Sequence, residues 1–166
     1  MFEIKVLDRS FSAEFCALSE SVYNNLENKE WYIPMSQENM KTALENNVFT
    51  VVGAVKNGTL AGVSLIDRTA DEFAQLSEVA GVGMDKKGAE LGACMVLPEY
   101  RGNNLMHLMN VELVKLARQS GIEYLVATAH PDNIASNKSL VKLGFELQAE
   151  IIRDGHYLRN SYYMEI

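Results

Sequence analysis

The run Val96-Leu97-Pro98-Glu99-Tyr100-Arg101-Gly102-Asn103-Asn104-Leu105-Met106 has the make-up of an anion site. An apolar stretch ends at Pro98, a polar loop turns, and a strongly periodic helix begins. The first amides of a helix lack internal acceptors and stand at the positive end of its dipole, so they bind anions, phosphate most often. Gly102 lets the backbone come close to a ligand. Asn104 belongs to the few non-glycine types that tolerate the left-handed region, and Arg101 adds a positive charge. A second run, Asn133 to Ser136 and on to Lys142-Leu143-Gly144-Phe145, follows the next apolar stretch and Pro131. Asn133 suits a helix cap, and Asn and Ser side chains beside it can bind amide or hydroxyl groups. Taken singly, each run equally describes an ordinary capped helix start. His130 suits proton relay, and equally a loop histidine bonded to backbone.

These runs need rigid elements to hold them. Ala89 to Val96 is apolar and bounded by Pro98, which reads as a central strand. Asn103 to Ser120 carries Leu105, Leu108, Met109, Leu113, Leu116 and Ala117 on one stripe, an amphipathic helix stopped by Gly121. Tyr124 to Ala129 is a strand, and a helix from Asn133 to Leu143 ends on Gly144. Upstream, Phe2 to Val6 alternates, Phe11, Phe15, Leu18 and Val22 recur at helical spacing, and Ser36 caps a short second helix. Thr50 to Val55 and Thr59 to Ile66 flank Asn57-Gly58, a hairpin signal. Thr69 to Gly88 is irregular, with a helical turn or two around Phe73 and Leu76. Glu146 to Ile152 and Tyr157 to Ile166 read as a closing antiparallel pair. The order β-α-α-β-β-β-α-β-α-β-β predicts an α/β (α+β) fold: a mixed, mostly antiparallel sheet of about seven strands flanked by about four helices, with one parallel crossover.

The chain has 166 residues, 48% of them hydrophobic and 22% charged, which suits one globular domain over residues 1–166. Fifteen Lys and Arg against 22 Asp and Glu give a net charge of −7. That balance argues against a nucleic-acid partner, which needs a basic footprint. Cys16 and Cys94 form neither a CxxC pair nor a Cys/His cluster, so no metal or disulfide framework is signalled. With no leader or spanning segment visible, the expectation is a cytoplasmic protein with no membrane partner.

Together the two runs resemble the GNAT-type N-acetyltransferases. That family carries Arg/Gln-x-x-Gly-x-Gly/Ala at the start of its central helix, after a Val-x-Pro strand end. Here stand Val96-Leu97-Pro98 and Arg101 to Met106. The family also carries Asn-x-x-(Ala/Ser) running into Lys-x-Gly-Phe, matched by Asn133, Ser136, Lys142, Gly144 and Phe145. The motifs span residues 89 to about 152, and the element order extends the match over nearly the whole chain. Two positions depart: Asn104 replaces a glycine and Met106 a Gly/Ala. Leu140 stands where many relatives have a tyrosine that protonates the departing thiolate. A thiol pKa of about 8.5 lets the thiolate leave with little help.

The resemblance implies acetyl-coenzyme A as acyl donor. Its pyrophosphate would sit on the amides of Arg101, Gly102, Asn103, Asn104, Leu105 and Met106. Its pantetheine arm would pair with the backbone near Met95 and Val96, and Asn133 and Ser136 would contact the cofactor. Glu90 lies where some relatives place a catalytic glutamate, and His130 is the second candidate base. Trp31 and Tyr32 border the acceptor pocket in this family. One of Tyr157, Tyr162 and Tyr163 can donate a hydroxyl to the thiolate. The implied reaction is direct attack of a small-molecule or peptide amine on the thioester, with no metal. Relatives are often homodimers. The alternative is a coenzyme A-binding regulatory or sensor module without transfer activity, and a weaker one is a nucleotide-phosphate binder using the same loop.

Overall fold

The computed structural model describes residues 1–83 and 85–166. Met84, inside the stretch expected to be irregular, lies outside the described residues. The strands are β1 (Glu3–Val6), β2 (Phe49–Lys56), β3 (Thr59–Asp67), β4 (Gly88–Val96), β5 (Tyr124–Ala129), β6 (Glu146–Arg153) and β7 (Tyr157–Glu165). The helices are α1 (Ser12–Asn24), α2 (Gln37–Glu45), α3 (Ala74–Val79), α4 (Leu105–Gln119) and α5 (Ile134–Leu143). All seven strands form one sheet in the order β1-β2-β3-β4-β5-β7-β6. Among the described residues only β4 and β5 run parallel, joined through α4. The sheet matches the expected fold class. The expected four helices become five because the irregular stretch contains α3, too short for a periodic signal.

Local chemistry accounts for the boundaries. Ser36 Oγ accepts the amide of Asn39 at 3.1 Å and starts α2. Asn57 and Gly58 sit at φ 51° and 79° and close the β2–β3 hairpin. Asn133 Oδ1 accepts the amide of Ser136 at 3.2 Å to start α5. Gly144, at φ 109°, ends it.

Strand alternation sends apolar side chains to both faces of the sheet. On one face Val52, Ala54, Ile66, Leu91 and Leu125 meet Leu105, Met109, Leu113 and Ala117 of α4 and Leu140 of α5. On the other, Val51, Val55, Val63 and Leu65 meet Phe15, Leu18 and Val22 of α1 and Met40 and Leu44 of α2. Leu76 of α3 covers Tyr124 and Val126 on the second face. No helix among the described residues is long and apolar enough to cross a membrane.

Leu113, fully buried at the middle of α4, fixes the helix whose first turn carries the anion loop. Leu113→Ala is expected to cost about 2–5 kcal/mol of stability, measured by urea denaturation of the two proteins.

Candidate active site

Parallel pairing between β4 and β5 runs from Gly88↔Tyr124 only to Leu91↔Ala127. Beyond it β4 continues from Gly92 to Val96, with its β5-facing edge unpartnered. A bulge marks the change: against β3, Leu65 faces Gly92 but Val63 faces Met95, so Ser64 alone stands opposite Ala93 and Cys94. Ala93 takes φ 47°, a left-handed conformation that alanine adopts only under constraint. A bulge puts the extra residue's backbone groups outside the ladder and re-aims the strand.

Two buried polar residues brace the bulge. Ser64 Oγ donates to Asn110 Oδ1 at 2.7 Å and lies 3.4 Å from the Gly92 carbonyl. Burial pushes the Cys94 thiol up to about 12, against a downward pull from Ser64, so Cys94 stays protonated at neutral pH. Neither Ser64 nor Asn110 stood out by motif. The only trace of them is a polar type inside an apolar strand or helix stripe.

A cavity of about 550 Å³ opens beside the splayed edge. Its wall includes Met95, Met106, Asn110, Asn133, Ser136 and Leu140, and also Trp31, Tyr32, Asp67, Glu72, Glu90 and Arg153. Trp31 and Tyr32 border it, carried by the segment between α1 and α2.

The anion loop follows β4. Gly102 is at φ 79° and Asn104 at φ 59°, so Asn104 takes the left-handed conformation its type tolerates and Gly102 takes one too. Among the described residues nothing accepts from the amides of Gly102, Asn103 or Asn104, and a Cβ added at Gly102 would meet open space. Successive free amides in such a turn, leading into a helix N-terminus, make an anion-binding concavity. The Arg101 amide instead donates to the Pro98 carbonyl at 3.2 Å, and its side chain folds back, Nε to the Val96 carbonyl at 3.3 Å. The cradle thus runs from Gly102 through Leu105 to Met106, without the Arg101 amide.

The titratable candidates are held differently. Glu90 is almost fully buried and takes a two-pronged ion pair from Arg153, Nη1 to Oε1 and Nη2 to Oε2, the latter at 2.8 Å. Burial pushes the Glu90 carboxyl above its ordinary value against the opposing pull of Arg153. Burial pulls the guanidinium's own proton affinity down, and Glu90, with Asp154 and Glu72, raises it on balance. His130 does not line the cavity. Its Nδ1 accepts the Asp132 amide at 3.1 Å, and its Nε2 faces Glu30 at 3.9 Å. That geometry places the imidazole as a brace for the loop after β5, away from the expected proton relay. The three tyrosines are also off the cavity wall. Tyr162 donates to Asn137 Oδ1 at 2.6 Å, and burial raises its phenol. Tyr163 packs on Tyr124, and Tyr157 on His156. Asn137, which no motif flagged, ties α5 to β7 by also accepting from Asn160 at 2.9 Å and donating to the His130 carbonyl at 2.9 Å. Among the described residues no group of three or more His, Cys, Asp or Glu is placed to hold a metal ion.

The sequence model of the acetyltransferase (GNAT) family matches residues 12–145. No curated protein matches the chain in sequence. Among solved structures, the acetyltransferase of the GNAT family from Streptococcus pneumoniae aligns with a TM-score of 0.76 at 18% identity, over 100% of each chain. The yncA protein of Salmonella typhimurium, solved with its cofactor acetyl-CoA, gives 0.73 at 18% identity, over 99% of this chain and 94% of its own. The ribosomal-protein-alanine N-acetyltransferase of Brucella melitensis gives 0.71 at 20% identity, over 99% and 98%. At these identities the likeness establishes the fold.

Removing one partner of a buried ion pair leaves the other uncompensated. Arg153→Met is therefore expected to cost about 3–5 kcal/mol at neutral pH. In the variant the Glu90 carboxyl keeps the upward push of burial and loses the downward pull of the guanidinium. A carboxyl raised in the fold favours its protonated form there, so the deficit is full above its folded value and fades as pH falls toward the ordinary 4.5. Denaturation midpoints of both proteins across pH 5 to 8 check the sign.

Proposed function

Because the chain belongs to the acetyltransferase (GNAT) family, we propose that it moves an acetyl group from acetyl-coenzyme A to a primary amine by direct attack, residues 1–166 acting as one domain in the cytoplasm. The observation that carries this reading is a conjunction: an unpartnered β4 edge leads directly into a loop of free amides at the start of α4. A pantetheine arm needs backbone partners and a pyrophosphate needs N–H donors, and the two stand end to end.

Acetyl-coenzyme A supplies the activated acyl group. The amides of Gly102, Asn103, Asn104, Leu105 and Met106 bind its pyrophosphate. The open edge near Met95 and Val96 pairs with its arm, and Asn133 and Ser136 border it. A backbone N–H at the Gly92–Cys94 bulge receives the charge that develops on the carbonyl oxygen. Holding donor and acceptor in one cavity supplies much of the remaining rate. The Cys94 thiol, protonated at neutral pH, takes no part as a nucleophile.

An alkyl ammonium with pKa about 10.4 must lose a proton before it attacks. We assign that proton to Glu90, which lines the cavity beside the bulge and whose upward shift makes it a better base than a free carboxylate. Arg153 then holds the carboxylate in place and offsets its charge. The same fork favours a second reading, a coenzyme A-binding module without transfer, because both Glu90 oxygens are engaged.

Two measurements separate these readings. Incubation with acetyl-coenzyme A and a panel of amines is expected to release free thiol, and Glu90→Gln to lower kcat by roughly 10²–10⁴-fold with coenzyme A binding retained. Thermal stabilisation by coenzyme A with no thiol release from any amine selects the module. Gly102→Val crowds the cradle and strains a left-handed position. Calorimetry is expected to show its Kd for coenzyme A at least ~10-fold weaker, or about 1.4 kcal/mol, with an unchanged circular dichroism spectrum; equal affinity removes the loop from the cofactor site.

A further inference from the structure

Arg159, on β7, lines the same cavity at 2% exposure. Its Nη1 donates to the Leu158 carbonyl and its Nη2 to the Glu30 carbonyl, each at 2.7 Å. Unlike Arg153, it has no salt-bridge partner among the described residues. Glu30 and Asp154 act on it only at longer range, while burial and the nearby Arg153 both pull its proton affinity down. A guanidinium stays charged in proteins, so this is a buried cation with donors to spare, an expensive arrangement without a counter-ion. The neighbouring wall repeats the pattern. Trp31 follows Glu30, whose carbonyl Arg159 grips, and its indole N–H is buried with no acceptor. A guanidinium without a counter-ion and an indole N–H without an acceptor, on adjoining segments, suit a ligand with paired acceptor oxygens, and a guanidinium fork fits a carboxylate best.

Carboxylates line the cavity as well, Glu90 with Arg153 as its partner. Asp67, Glu72 and Glu90 line it from β3, the turn after it and β4, and no hydrogen bond engages the side chain of Glu72 among the described residues. An ammonium is favoured there. Strand β5 stands between β4 and β7 in the sheet, and Arg159 lies one residue beyond the Ala129↔Asn160 end of the β5–β7 ladder. The cavity must also admit the acyl donor's arm, which leaves room for a small acceptor.

We propose that the acceptor carries a carboxylate beside its reactive amine, held by Arg159 together with the indole N–H of Trp31, so that the substrate class is a small amino acid and not a polyamine or neutral amine. This rests on the transfer reading above and sharpens it.

The test is thiol release from acetyl-coenzyme A by the unaltered protein with free amino acids, their carboxamides and their decarboxylated amines. At least one amino acid is expected to exceed its carboxamide and its amine by 100-fold or more in kcat/KM. Because Arg159 also ties β7 to the Glu30 loop, this substrate series is the decisive measurement. The variants Arg159→Lys and Arg159→Gln add a split: the kcat/KM ratio of the amino acid over its carboxamide falls, more for Gln than for Lys. Carboxamides or simple amines that match or surpass the amino acids overturn the inference and leave acetyl transfer standing, as do Arg159 variants that slow acid and carboxamide equally. No thiol from any amine, with coenzyme A still bound in calorimetry, overturns the transfer reading and this inference with it.

Discussion

Hydrogen bonds between β4 and β5 stop after Leu91 and Ala127, and the chemistry of this protein gathers where they stop. A parallel pair that continued would fill its own edge and leave nothing for a ligand. The bulge at Ala93 and Cys94 prevents that continuation, since an extra residue on β4 shifts the register against β3 and bends the strand. An alanine in the left-handed region is not self-sustaining. It persists because Ser64 and Asn110, both buried and bonded to each other, hold the strand from the α4 side. The apolar stripe of α4 fixes that helix on the sheet, and the same packing sets its N-terminus beside the open edge. One defect in a ladder thus decides where cavity, loop and helix terminus meet.

Charge is laid out around that opening with unequal compensation. Glu90 and Arg153 satisfy one another, so their pairing orders that part of the cavity wall and holds β6 against β4. Arg159 has two carbonyls and the face of the Tyr157 ring, and no carboxylate among the described residues. In a site of low dielectric such differences matter, because a paired charge is nearly silent toward a ligand and an unpaired one is not. The net acidity of the chain says nothing of this. It is an average over a surface, whereas recognition depends on which buried charges lack partners.

Much of the scaffold was legible because its signals are local. The hairpin at Asn57-Gly58, the caps at Ser36 and Asn133, the stop at Gly144 and the stripe of α4 each involve residues a few positions apart. The anion loop was legible for the same reason, since Gly102 and Asn104 supply left-handed turns within four residues of the helix start. Helix α3 was blurred because its six residues complete fewer than two turns. For His130 the sequence left a relay and a backbone-bonded loop histidine open, because residue type says what a ring can do and only its neighbours decide which way its nitrogens face.

What the sequence determined by itself was the order and type of most elements and the left-handed turn before α4, because those follow from backbone preferences and side-chain periodicity over short spans. The tertiary structure decided the partners. Ser64 meets Asn110 across 46 residues, Glu90 meets Arg153 across 63, and Arg159 meets Glu30 across 129. Interactions of that range exist only once the sheet has brought its strands together, and nothing in the identity of either residue announces the other beforehand.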